Sequence, residues 1–409
     1  MRSVDEQLKR VLEIAARPAP VRVALADAQG LRSAEEVVAA RALPGFDQAA
    51  IDGYAVRSVD VVGGSAAGPV ELPVVGEIPA GSRQPLRLQP GQAVQVAAGA
   101  PLPTLADAVL PRDHTDGGSA RIKVTRGVPS AAFVRRLGED MQPGDVAVRR
   151  DAVIGAAQVA LLAAAGRDKV LVHPRPRVSV VAMGDELVDV ARPAAAGHVP
   201  DVASFALAAA AREAGAEMAR PPRLVRCDAR ELRSAVEDAL PFSEIVVICG
   251  AAGGNAGAEA KAAFAGLGEI DTTRVAMAPG SSQAFGRLGK DHVPTFLFPA
   301  SPATALVLFE VLVRPLIRLG LGITDPHRRV VSARLTSPLT SPEGRRSYLR
   351  GRLLREVATN EYVVQPLATG GVHLLSTLAE ANALITVPED ATDVGLDDRV
   401  EVALLSSRR

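Results

Sequence analysis

EIVVICGAAGGNAGAEAK, Glu244 to Lys261, sets an apolar β-branched run against a glycine cluster and then restarts as an alanine-rich helical pattern. A strand that feeds a glycine turn and then a helix is the layout in which backbone N–H groups and a helix N-terminus cradle phosphate. The stretch therefore predicts a parallel-sheet domain with an anion-binding loop built on Gly250, Gly253, Gly254 and Lys261. It is not a P-loop, because Lys261 does not directly follow a glycine and no Ser or Thr follows it.

Outward from this loop the text alternates in the same way. VSVVAMG (178–184) and PTFLFP (294–299) read as strands, and DVASFALAAAAREAGAEM (201–218) and SPATALVLFEVLVRPLIRLG (301–320) as helices. Such alternation implies a mostly parallel sheet covered on both faces. In the last helix Ser301 can cap the N-terminus while Pro302 takes the first helical position. Two stretches have a different texture. Between Leu43 and Val148, short alternating runs such as VELPVVGEIPAG and AVQVAAGAPLP are broken by Gly and Pro, which predicts an inserted β-rich domain. Beyond Asp325, the runs VVSARLTSPL, SYLRGRLLRE, EYVVQPLA and ALITVPE predict a C-terminal β domain. The fold class is α/β plus β. The expected domains are an N-terminal helix (1–20) packing toward the C-terminal half, a connecting domain (21–43 and 146–173), the inserted β-rich domain (44–145), the α/β domain (174–324) and the C-terminal β domain (325–409).

A chain of 409 residues exceeds what one core usually serves. Lys+Arg and Asp+Glu both total 46, so no global field draws the protein onto nucleic acid or an anionic membrane. Aromatics at 3% and the absence of Trp argue against stacking platforms for single strands. The N-terminus, MRSVDEQLKRVLEIAARP, reads as an amphipathic helix with Val4, Leu8, Val11, Leu12 and Ala15 on one face, without the apolar core of a signal peptide. No run approaches the roughly 18 apolar residues that span a bilayer. A cytoplasmic protein with no direct membrane insertion is expected. Cys227 and Cys249 sit in no Cys-x-x-Cys pair and are expected as buried free thiols.

Four carboxylates stand beside turn signals: Asp52, Asp140, Glu186 and Asp228. Loop acids near strand ends can hold Mg2+ or position a polar substrate, and they can equally be ordinary helix caps and turn acids. Taken in order, their surroundings resemble the MoeA proteins and the gephyrin E domain. PGFDQAAIDGYA (44–55), GAPLPTLADAVL (99–110) and RRLGEDMQPGD (135–145) are similar to that family's first three signatures. PRVSVVAMGDELV (176–188) and SPATALVLFEVLVRPLI (301–317) resemble the opening and closing portions of its α/β domain.

The resemblance implies four subdomains in an elongated homodimer and an enzyme that puts molybdate into adenylylated molybdopterin with Mg2+. It places Asp52, Asp140, Glu186 and Asp228 where the family keeps functional acids, with Glu186 and Asp228 as the metal partners. Other positions depart from the family pattern. Ala98 stands for a threonine, Gly253 for a serine and Ala258 for an aspartate. Ala278 and Ser281 stand for two lysines of an anion-binding stretch, Ala300 and Ser301 for Gly-Asn, and Ala203 for an asparagine. Removing a cation from a buried charge pair commonly costs about 2–5 kcal/mol. These departures favour a catalytically degraded, gephyrin-like homodimeric scaffold that requires no cofactor. In gephyrin the resemblance points to a peptide groove, whose positions here are Asp5, Leu8, Tyr348 and Pro388. The implied partner is the peptide tail of another protein, FtsZ or a membrane receptor, with recruitment to the division site or membrane. The alternative is a working molybdopterin molybdenumtransferase that uses Mg2+ and molybdopterin.

Overall fold

The computed structural model describes residues 1–15, 17–83, 87–357, 359–367 and 375–405. They form two compact units. One is Val21–Val172; the other joins Met1–Pro20 to His173–Arg409.

The second unit begins with helix α1 (Val4–Leu12), whose start is fixed by a capping box: Ser3 Oγ accepts from Glu6 N–H and Glu6 accepts from Ser3 N–H. Val4 and Val11 are buried, and Leu8, Leu12 and Ala15 pack on the same core, which is the face expected from the sequence.

In the unit Val21–Val172, the strand Val21–Ala24 pairs antiparallel with Lys169–His173, register Val21↔Val172. Helix α2 (Ala156–Ala164) lies over a small core of Val37, Val148, Ile154, Leu162, Val170 and Val172. The β-rich part is a five-stranded sheet. Its strands are β1 (Gly53–Val56), β2 (Val70–Ile78), β3 (Ala93–Val96), β4 (Ala108–Pro111) and β5 (Arg121–Val124), in the order β4-β1-β3-β2-β5. All four residues of β1 are buried, so apolar cores lie on both of its faces.

The α/β part of the second unit is a sheet of β6 (Arg177–Met183), β7 (Glu217–Met218), β8 (Arg223–Val225), β9 (Ile245–Cys249), β10 (Gly268–Asp271), β11 (Ala284–Leu288) and β12 (Val293–Phe298). Its order is β7-β6-β9-β12-β11-β10, with β8 also beside β6. The centre is parallel, with Val178↔Ile245 and Val246↔Thr295 in register, and β11 and β10 are antiparallel. Strands buried on both faces read as continuous apolar runs, which is why IVVIC and TFLF carry no alternation. Helix α3 (Ala203–Ala214) covers one face. Helices α4 (Ala229–Ala239) and α5 (Gly254–Ala263) cover the other. Phe296 and Phe298 are wholly buried, each burial contributing roughly 1.5–3 kcal/mol.

The expected single helix 301–320 is instead α6 (Pro302–Leu308), a π-helical turn (Phe309–Val313) and α7 (Arg314–Gly320). Pro315 lacks an N–H and its ring crowds the carbonyl four residues back, so the ladder widens before it. Beyond it, β13 (Val330–Leu335), β14 (Arg346–Arg355), β15 (Tyr362–Pro366), β16 (Ala383–Val387) and β17 (Arg399–Leu404) close a ring. β14 pairs β15, β15 pairs β13, β13 pairs β17, β17 pairs β16, and β16 returns to β14. Closure into a barrel leaves no open sheet edge between these strands. Among the described residues no helix is long and apolar enough to cross a membrane.

Candidate functional site

From β6 the chain runs through α3 to β7 and β8 on one side, and returns through α4 to β9 on the other. The strand order thus reverses between β6 and β9, and in open α/β sheets ligands bind at the carboxyl ends of strands at such a switch point. Two loops leave that edge side by side: Gly184–Asp185–Glu186 after β6 and the glycine loop after β9. Gly250 has φ +86, and a Cβ there would lie 2.0 Å from the Met183 carbonyl oxygen, so only glycine lets the two backbones approach. Gly253 (φ 88, ψ 158) is the N-cap of α5 and supplies no side-chain acceptor to the first turn. The absent serine is therefore a consequence of loop geometry that a side chain would strain.

The acids converge on the same edge. Asp185 Oδ1 accepts from Cys227 N–H (3.1 Å), Asp228 Oδ1 accepts from the N–H groups of Arg230 (3.0 Å) and Glu231 (2.9 Å), and Glu259 Oε2 accepts from Ala229 N–H (3.1 Å). Burial pushes the Cys227 thiol above its ordinary pKa, and the negative charges of Asp185, Glu259, Glu186 and Asp228 add to the shift. Cys227 is half-buried rather than buried, because it sits on this loop; Cys249, inside β9, is buried with its pKa pushed up to about 12. Both are free thiols. Sequence reasoning singled out Glu186 and Asp228 and missed Asp185, Glu259 and Asp201. Asp201 is buried and accepts from Ser204 N–H (3.1 Å) at the start of α3. Among the described residues no three His, Cys, Asp or Glu side chains form a group that could hold a metal ion.

The stretch that lacks its lysines lies beside the glycine loop, since a Cβ on Gly253 would stand 4.0 Å from Ser282 Cβ. Ser281 Oγ donates to Met1 Sδ (3.7 Å), and Ser301 caps α6 by accepting from Thr304 N–H (3.4 Å), as its sequence position suggested. Lys261 lies in the last turn of α5. The loops after β6, β9 and β12 therefore form one rim, with Ala251 and Ala252 N–H donating to the Phe298 carbonyl across it.

In the unit Val21–Val172 the three signature segments meet on residues 47–52. Ala49 N–H donates to Ala100 O, Leu102 N–H to Asp47 O, and Leu137 N–H to Asp47 Oδ1. Asp52 Oδ1 accepts from Ala98 N–H (2.8 Å), so the backbone at the replaced threonine still holds this acid. Asp140 is paired with Arg135. Asp47, missed in the sequence, accepts from Leu137 N–H (2.7 Å) and Arg136 (2.6 Å), and these bonds hold its carboxyl below the usual range.

The groove residues also lie together. Arg346 on β14 forks onto Asp5 (2.6 and 2.8 Å) and reaches Glu389 (3.1 Å), next to Pro388. Tyr348 is half-buried two residues along the same strand, and Pro388 is exposed. Asp5, Leu8, Lys9, Leu12 and Glu13 line a shallow cleft of about 490 Å³. Asp5 is thus already committed to a cation of its own chain. Arg350, on the same strand, is buried and donates to Thr377 Oγ1 (2.6 Å).

Fold and site together define a multidomain protein with an α/β core, a β-rich insertion and a closed C-terminal barrel. Residues 2–166 match the MoeA N-terminal region (domain I and II), 179–319 a probable molybdopterin binding domain, and 332–405 the MoeA C-terminal region (domain IV). The chain is 56% identical over 426 aligned positions to molybdopterin molybdenumtransferase 1 of Mycobacterium tuberculosis, covering 99% of each. It is 35% identical to that organism's molybdopterin molybdenumtransferase 2, covering 98% of this chain and 99% of the relative. The crystal structure of the molybdopterin biosynthesis MoeA protein from Pyrococcus horikosii superposes with a TM-score of 0.78 at 28% identity, covering 99% of both chains. The chain belongs to the MoeA family.

Proposed function

We propose that this protein is a molybdopterin molybdenumtransferase that inserts molybdate into adenylylated molybdopterin during molybdenum cofactor biosynthesis. The observation that carries the reading is the end-to-end match, at 56% identity, to a relative named for that activity. The departures that favoured a scaffold give way to it. At Ala98 the backbone still holds Asp52, at Gly253 the loop itself demands glycine, and Ser301 serves as a helix cap. The scaffold reading has no comparable support, and Asp5 is occupied by Arg346.

In this reading the uncapped N-terminus of α5 and the backbone of the glycine loop receive the anionic end of the substrate, with Ser281 and Ser282 as neutral donors. Mg2+ usually binds through one or two carboxylates plus substrate phosphates, so Glu186 and the uncommitted Oδ2 of Asp228 fit a cation that arrives with the ligand. Such an ion would neutralise phosphate charge.

Complementation tests this directly. Expression in a strain lacking its own MoeA should restore molybdoenzyme activity, and Asp140→Ala should abolish the rescue. A folded, well-expressed protein that restores nothing would refute the assignment.

A further inference from the structure

The glycine loop and its helix form an unusually plain segment. From Gly250 to Lys261 there are glycines at 250, 253, 254 and 257 and alanines at 251, 252, 256, 258 and 260. Chain of this kind loses much conformational freedom when ordered and offers few side chains to hold it. Glu259 is the side chain of the segment that makes a bond outside it, through Oε2 to Ala229 N–H at 3.1 Å.

The acceptor it supplies is specific to the fold. A helix leaves its first N–H groups without intrahelical partners. At α4 the second and third are taken by one oxygen of Asp228, and the first, on Ala229, is taken by Glu259. One carboxylate on α5 thus completes the cap of α4, ties the two helices beside the loops that carry Asp185 and Asp228, and leaves Asp228 Oδ2 outside the cap.

We propose that Glu259 is a positioning residue, which fixes the glycine loop against the Asp228-capped start of α4. The proposal rests on the transferase reading for its kinetic arm alone. Full-length protein would be compared with Glu259→Ala and Glu259→Gln by hydrogen exchange and by molybdate transfer to adenylylated molybdopterin. Glu259→Ala should speed exchange at Ala229 and across Gly250–Gly254 about tenfold, the factor a single net hydrogen bond supplies. It should also raise KM about tenfold while kcat stays within about twofold. Glu259→Gln, whose amide oxygen can accept the same N–H, should restore both to within about threefold of the parent. Unchanged exchange in Glu259→Ala would overturn the tether. A Gln variant as impaired as the Ala variant would also overturn it, since charge and not the hydrogen bond would then matter. If the parent protein transfers no molybdate, the enzyme reading falls while the exchange data still decide the role of Glu259.

Discussion

Gly250→Ala should be among the most damaging single substitutions outside the hydrophobic cores. The left-handed φ of +86 costs an L-residue roughly 1–2 kcal/mol. The larger part comes from contact. The new Cβ would lie 2.0 Å from the Met183 carbonyl oxygen, on the strand paired with β9 through Ala182↔Cys249. Relief requires the ends of two central strands to part by about 1 Å, which breaks one or two buried ladder bonds at roughly 1–3 kcal/mol each. The sum is about 2–8 kcal/mol. Gly254 supplies the internal control: its φ is also positive, at 55, but nothing lies within 4 Å of a Cβ there. Gly254→Ala should cost only about 1–2 kcal/mol. Urea unfolding followed by far-ultraviolet circular dichroism gives both values on one scale. Equal losses for the two variants would show that conformational preference alone is at work, and the argument from strand contact would be refuted.

Two further outcomes follow from the ionisable groups. Burial raises the pKa of Asp271, but hydrogen bonds from Thr273 and the ion pair with Arg2 outweigh it and hold the group at about 2, against 3.8 unperturbed. A depressed carboxylate stabilises above its unfolded pKa and loses that contribution as pH falls through the folded one. Asp271→Asn should therefore cost about 1–2 kcal/mol at pH 7, and the difference from the parent should vanish between about pH 4 and pH 2, read by denaturant titration at each pH. In native protein, a thiol reagent should label Cys227 slowly and Cys249 not at all below the unfolding transition, because burial raises both and Cys249 also lies inside a central strand. Native labelling that persists in Cys227→Ser would contradict this.

Much of this architecture was legible because apolar periodicity and turn residues agree along the chain. IVVIC, VSVVAM and TFLF announced the central strands, and the four quoted runs after Asp325 became barrel strands. β17 was passed over, although RVEVAL alternates with Val400 and Val402 buried, and it is the strand that closes the barrel. The antiparallel edge β10–β11 was also missed, since GEID and AFGRL hold too few apolar residues for a clear period. Turn chemistry exposed Glu186 and Asp228, but not Glu259, whose importance depends on which helix lies across from it. The lost side chains were read as lost function because sequence shows what a residue carries and not what the backbone beneath it already does, as at Ala98 and Gly253.

The pairing of Val21–Ala24 with Lys169–His173 reaches beyond its own sheet. Helix α1 precedes that unit in the chain, yet its apolar face packs on a core whose other members run from Val178 to Leu384. An unstructured spacer of about 150 residues would oppose that meeting by roughly 4 kcal/mol of closure entropy. Once Val21–Val172 has folded, its entry and exit sit opposite each other in adjacent strands, and the spacer shrinks to the width of one strand pair. The inserted unit then acts as a clasp: lesions that loosen Val21↔Val172 should slow docking of α1 when the denatured protein is refolded, however distant they are from that helix.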